Sequence, residues 1–215
     1  MPTLWTFGDS LTESFNPQMD WAEQYIEFKG YHPKVYGDFI SEHLGYKLKN
    51  LGKCGSDNYS IFETFCKSYS LIKDEDIVII GWSSSIRFRM VNKNNLWQQI
   101  HPNYKNHLVQ FDSISENTVN EILINRSNIK YVDEFNHKIN FINLACNTKK
   151  IIHWNSFHQE LNAFFFAENI ERIKDETFNK INDPHFSENG HRTLSNHLLN
   201  IIVNNIPFKT NKKLL

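Results

Sequence analysis

The chain has 215 residues, 40% of them hydrophobic, and a formal net charge of −1. That apolar content suits one α/β domain with a sizeable core and excludes a disordered chain. A charge so near zero offers no global field to nucleic acid or to a membrane surface, so neither is an expected partner.

Three cysteines, Cys54, Cys66 and Cys146, form no even framework and are expected as free thiols. No basic-then-apolar leader precedes the first apolar run, and no run approaches a membrane span. The expected location is therefore the cytoplasm or a virion.

Leu4-Trp5-Thr6-Phe7 is a short apolar run and predicts a first strand. Asp20 is expected to cap a helix over Trp21 to Lys29, stopped by Gly30. Pro33 is expected to open a second helix, with Tyr36, Phe39, Ile40 and Leu44 on one face and Gly45 at its end. Lys47 to Leu51 alternates polar and apolar, like a strand. In the loop from Asn50 to Asn58, Ser56 or Asp57 is the cap of a third helix. The expected apolar face of that helix is Tyr59, Phe62, Phe65, Cys66 and Tyr69. Asp76 to Ile80 is a continuous apolar run after an acidic turn, the pattern of a parallel strand buried on both faces.

Residues 86–110 mix Arg, Trp, Tyr and His with little period, and their aromatic stretch around Trp97, His101 and Tyr104 fits core packing better than sugar stacking. The segments 115–125 and 130–148 look helical. Lys150 to Trp154 predicts another strand, and Ser187 caps a last helix with Leu194, Leu198 and Ile202 on one face. Strands alternating with helices predict a parallel sheet covered on both sides. The expected fold class is α/β: one domain over 1–215, a three-layer α/β/α sandwich of flavodoxin-like type with a parallel sheet of about five strands. Residues 86–125 read either as a lid or substrate wall, or as ordinary packing of an enlarged fold.

The candidate chemistry sits at the two ends of the chain. Gly8-Asp9-Ser10 stands at the tip of the first strand, where Gly8 allows a sharp turn and Ser10 can expose its hydroxyl at the mouth of a helix. The same three residue types also make ordinary turns. Far downstream, Asp183-Pro184-His185 brings an acid and a histidine together in a loop before a helix. A serine hydroxyl is a poor nucleophile until a base takes its proton, and a carboxylate commonly orients that base. Ser10, His185 and Asp183 are therefore the candidate nucleophile, base and orienter. Sites in parallel sheets form at the carboxyl ends of strands, and Ser10, Gly55 and Gly81 all follow predicted strands.

Together these segments resemble the GDSL family, also called SGNH hydrolases. The resemblance lies in a first block (Phe7 to Thr12), a Gly block (Asn50 to Asn58), an altered third block (Gly81 to Ser84) and a last block (Asp183 to His191). It implies a serine esterase that forms an acyl-enzyme on Ser10 and needs no cofactor or metal. Its expected substrate is a small-molecule or glycan ester. It also implies an oxyanion hole made by the backbone N–H of Ser10, the N–H of Gly55 and an Asn side chain.

Two places depart from the family pattern. Ser83 stands where the family has that Asn. Either Ser83 donates through a closer approach, or Asn58 supplies the amide, or the site is slow or inactive. In the last block the family's Asp lies three residues before the His, a position held here by Asn182. Asp183, two before His185, is favoured because only a carboxylate stabilises an imidazolium. His191, in the first turn of the last helix, is the rival base and is expected to pack instead. Asn58, Trp82 and Arg87 are the expected substrate contacts, with Arg87 open between anion binding and an ordinary solvated charge. A non-catalytic glycan-binding or virion structural protein on the same fold is the alternative, and acyl transfer to an acceptor other than water is a third reading.

Overall fold

The computed structural model describes residues 1–85, 87–91, 94, 97–100, 117, 119–122, 129–146, 150–157, 163–166, 170–176 and 181–204. Its main sheet holds β1 (Thr3–Phe7), β2 (Lys47–Asn50), β3 (Ile77–Trp82), β6 (Lys150–Asn155) and β7 (Phe164–Phe165), in the order β2-β1-β3-β6-β7. All four pairings are parallel. Counted by sheet strand the order is 2-1-3-4-5, the flavodoxin-like winding, which reverses direction beside β1. A separate antiparallel pair is made by β4 (Phe88–Val91) and β5 (Trp97–Ile100).

The sheet is sandwiched because its inner strands are apolar on both faces. All six residues of β3 are buried. Ile77 and Ile79 face one way, joining Leu4, Ile152 and Trp154 under α2 (Tyr36–Leu44) and α6 (Glu188–Asn204), whose Ile40, Leu194 and Leu198 complete that cluster. Val78, Ile80 and Trp82 face the other way, with Trp5 and Phe7, under Ile61 and Phe65 of α3 (Asn58–Ser68) and Phe135, Ile139 and Ile142 of α4 (Ile129–Ala145). Edge strand β2 instead leaves Lys47 and Lys49 exposed, charges that discourage pairing with a further chain. Among the described residues no helix is long and apolar enough to cross a membrane.

A third, smaller cluster matters for the site. Phe15, Ala22, Tyr25, Val35, Ile173 and Ile181 pack α1 (Asp20–Lys29) against the short α5 (Ile173–Glu176). Polar contacts reinforce this joint. The Tyr25 hydroxyl donates to Glu176, Lys29 pairs with the same carboxylate at 2.5 Å, and the Glu188 amide donates to the Tyr25 oxygen at 3.0 Å.

Several local expectations need correction. Met19, not Asp20, is the N-cap of α1. The second helix begins at Tyr36 rather than at Pro33, because Val35 is its cap and the Asp38 carboxylate accepts from the Val35 amide at 2.9 Å. Asp57 does cap α3, accepting from Ser60 N at 2.7 Å. The buried stripe of α3, however, is Asn58, Ile61 and Phe65, while Tyr59, Cys66 and Tyr69 are exposed. The β4–β5 pair lies where no strand was expected. His101 and Tyr104 lie outside the described residues, as does most of the segment 86–125 in which a lid was an option.

Candidate active site

Three loops meet at the carboxyl ends of β1, β2 and β3. The first leaves β1 as a single tight turn: Asp9 O accepts from Thr12 N at 2.9 Å and Glu13 N at 3.0 Å, while the Asp9 carboxylate caps Leu11 N at 3.0 Å. No helix follows directly, since α1 begins only at Asp20. Gly8 is required for close approach: a Cβ there would lie 2.0 Å from Thr12 Oγ1.

The Gly block is laced to this turn. Asn50 Nδ2 donates to Thr12 O at 2.7 Å, Lys53 N to Gly8 O at 3.0 Å, and Cys54 N to Glu13 Oε2 at 2.6 Å. Ser56 N then bonds Lys53 O, closing a turn whose third residue, Gly55, has φ of +80°. That value belongs to position i+2 of a type II turn and favours glycine. Among the described residues, the amides of Ser10 and Gly55 meet no protein acceptor.

The last block hangs beside α5. Its backbone is pinned by Ile173 N to His185 O at 2.9 Å, Lys174 N to Asp183 O at 3.1 Å, and the Arg172 guanidinium to Pro184 O at 2.6 Å. Ser187 caps α6 by accepting from Gly190 N at 3.1 Å. In this frame His185 Nε2 lies 2.9 Å from Ser10 Oγ, and His185 Nδ1 lies 2.6 Å from Asp183 Oδ1. The same oxygen accepts from the His185 amide at 2.8 Å. Burial raises the Asp183 pKa, but these bonds and the charge of His185 outweigh it and hold the carboxyl below its ordinary range. Asn182 is exposed. Both ends of the imidazole thus meet the groups that a nucleophile–base–orienter series requires.

The Trp21 indole stacks on the His185 ring, centroids 4.0 Å apart and planes 5° from parallel. Nothing in the local sequence pattern points to Trp21, which lies on α1, the helix that Tyr25 and Lys29 fasten to Glu176 of α5 and to Glu188 within the last block. His191 is buried among Phe15, Tyr36 and Phe186, its Nδ1 without a partner among the described residues. Burial, and secondarily the nearby His185, push its pKa down to about 3.

The remaining expected contacts are placed differently. Trp82 is 1% exposed and faces the α3–α4 core, donating to His153 Nδ1 at 3.1 Å; it lies in the core, not in the cleft. The Ser83 hydroxyl is fully buried and gives its only proton to Asp9 Oδ2 at 2.7 Å. Asn58 is 1% exposed and holds the Ser83 backbone from both sides, accepting from its N–H at 2.7 Å and donating to its C=O at 2.8 Å. Arg87 Nη1 also reaches Asp9 Oδ2, at 2.9 Å, from a side chain 21% exposed.

No protein-family model matches the sequence, and no curated protein does. Solved structures match by shape. A carbohydrate esterase whose active site displays divergent catalytic and non-catalytic binding functions superposes with a TM-score of 0.50 at 11% identity, over 96% of this chain and 66% of that one. The chain has a GDSL/SGNH hydrolase-like fold. A lipolytic G-D-S-L family member from Veillonella parvula DSM 2008 (TM-score 0.42, 10% identity, 94% of this chain and 99% of that one) is similar in shape. So is a catalytic mutant of an acetylxylan esterase from Geobacillus stearothermophilus (TM-score 0.44, 12% identity, 94% of each chain). Within the GDSL/SGNH-like frame, the four sequence blocks occupy the loops described above, at the side of the sheet where its winding reverses.

Proposed function

We propose that the chain is a serine acylhydrolase that cleaves a carboxylic ester, with an O-acetyl group on a glycan as the first substrate class to test. The observation that carries this reading is the continuous contact Ser10 Oγ–His185 Nε2–His185 Nδ1–Asp183 Oδ1. His185 takes the Ser10 proton as Oγ attacks the carbonyl carbon, and the carbonyl π pair moves onto oxygen. The Ser10 and Gly55 amides donate to that oxygen. Collapse expels the alcohol, which receives the proton from His185. Water then repeats the sequence on the acyl-enzyme and frees the acid. Asp183 stays ionised throughout, holding Nδ1 as the donor.

The test is hydrolysis of p-nitrophenyl acetate and butyrate by the wild type and by Ser10→Ala, with fluorophosphonate labelling read by intact mass. Turnover and a single adduct, both lost in Ser10→Ala, support the reading. A wild type that neither turns over nor labels rejects it. One observation favours a second reading, a non-catalytic binding protein: the Ser83 hydroxyl is turned into Asp9, away from the role the family gives this position.

A further inference from the structure

The oxyanion hole of the proposed esterase has two backbone donors, and the side chains expected to supply the third are already committed. Ser83 has one hydroxyl proton, and Asp9 holds it. Asn58 is 1% exposed, and its side chain is anchored to the Ser83 backbone through one of its two N–H groups and its carbonyl. Losing one oxyanion donor typically costs about 10²–10³ in kcat, so a working site needs a substitute.

Arg87 is placed to be that substitute. It lies on the same post-β3 segment as Ser83 and is anchored through Nη1 to the same oxygen, Asp9 Oδ2. Asp9 is the immediate neighbour of Ser10. A guanidinium carries five N–H donors. One is used on Asp9, and the others meet no acceptor among the described residues. Asp9 is also bonded by Leu11 N and Ser83 Oγ, which fix the carboxylate that anchors the guanidinium.

We propose that Arg87 is the third oxyanion donor, taking with a cationic fork the place that the GDSL family gives to an Asn amide. The proposal rests on the esterase reading above. As the Ser10 Oγ–carbon bond forms and the Ser10 proton passes to His185, the carbonyl π pair becomes a full negative charge on oxygen. A free Arg87 N–H donates to that oxygen, and the interaction relaxes when the pair returns and the alcohol leaves. A charge-assisted bond of this kind is stronger than one from a neutral amide. Ser83 then acts one step further back. With Asn58 it fixes Asp9, and Asp9 fixes the guanidinium.

The test compares wild type, Arg87→Lys and Arg87→Met on p-nitrophenyl acetate, a neutral ester, and on mono-p-nitrophenyl succinate, which carries a carboxylate. The rate of Ser10 phosphonylation by a fluorophosphonate is measured alongside, with circular dichroism to confirm folding. The expected result is a kcat on the neutral ester about 10²–10³ lower in Arg87→Met with KM little changed, a smaller loss in Arg87→Lys, and slower phosphonylation in the same order. A folded Arg87→Met with unchanged kcat on the acetate overturns the proposal while leaving the esterase reading intact. A rise confined to KM for the succinate ester overturns it too, and makes Arg87 a subsite for anionic substrates. A wild type that neither turns over nor labels removes both.

Discussion

Two buried histidines among the described residues predict a steep loss of stability toward acid, and one of them can be removed without touching the proposed chemistry. Burial pushes His153 and His191 down to about 3, whereas an unfolded imidazole titrates near 6.5. Between those values only the unfolded chain takes up the proton, so stability falls as pH drops through the window. From pH 7 to pH 5 the unfolded side chain goes from about one-quarter to nearly fully protonated while the native one stays neutral. Each histidine therefore withdraws about 2 kcal/mol over that interval, and the pair about 4, from a total of roughly 5–15 kcal/mol. His191→Phe should halve that loss. Any packing change from a ring set against Phe15, Tyr36 and Phe186 acts equally at both pH values and cancels in the difference. So does the titration of Asp38, which burial raises and which is common to both proteins. The assay is urea unfolding at pH 7 and pH 5, followed by tryptophan fluorescence, for wild type, His191→Phe and His191→Leu. Variants that lose as much as the wild type between the two pH values would refute a neutral buried His191. The same variants should keep kcat/KM on p-nitrophenyl acetate within a few-fold, because His185 is the group on Ser10.

Asp183→Asn should lower kcat by about 10²–10⁴, since an amide neither fixes the tautomer nor supports the imidazolium; Asn182→Ala, at an exposed position, should change it by a few-fold at most, and steady-state kinetics on the same ester would check both. Trp21→Ala should reduce kcat/KM by about three- to tenfold through loss of the ring stack on His185, with Trp21→Phe retaining most of the activity; an unchanged rate in the alanine variant would mean that the indole merely covers the histidine. Gly55→Ala forces a Cβ onto a residue at φ +80° and should cost about 1–3 kcal/mol in thermal or urea unfolding while displacing a proposed oxyanion amide.

What the sequence made legible was whatever depends on near neighbours. The β1 and β3 runs, the helix stops at Gly30 and Gly45, the Asp57 and Ser187 caps and the α6 stripe of Leu194, Leu198 and Ile202 are each decided within a few residues. The pairing of Asp183 with His185 also fits within one stiff tripeptide. The errors came where packing chose among plausible faces. On α3 the aromatic residues suggested one stripe, but the sheet selected Ile61 and Phe65, and left Tyr59 and Tyr69 at the surface. The β4–β5 pair stands apart from the main sheet, and its residues carry no strong alternation to announce it.

The site shows the same division more sharply. Ser10 and His185 could be nominated from motifs, but the direction of the Ser83 hydroxyl is set by Asp9, 74 positions away in the chain. Trp21 meets His185 across α1, which is fastened to α5 and to the last block itself through Tyr25 and Lys29 on Glu176 and Glu188. The nucleophile sits on the end of a buried strand, whereas the base sits on a loop held by Phe186 in the main core and by backbone bonds to Arg172, Ile173 and Lys174. The distance between Ser10 Oγ and His185 Nε2 is therefore set by these anchors together with the Trp21 stack from α1. A family motif specifies which groups must meet; the packing of segments far apart in the chain, which no motif encodes, brings them within 2.9 Å.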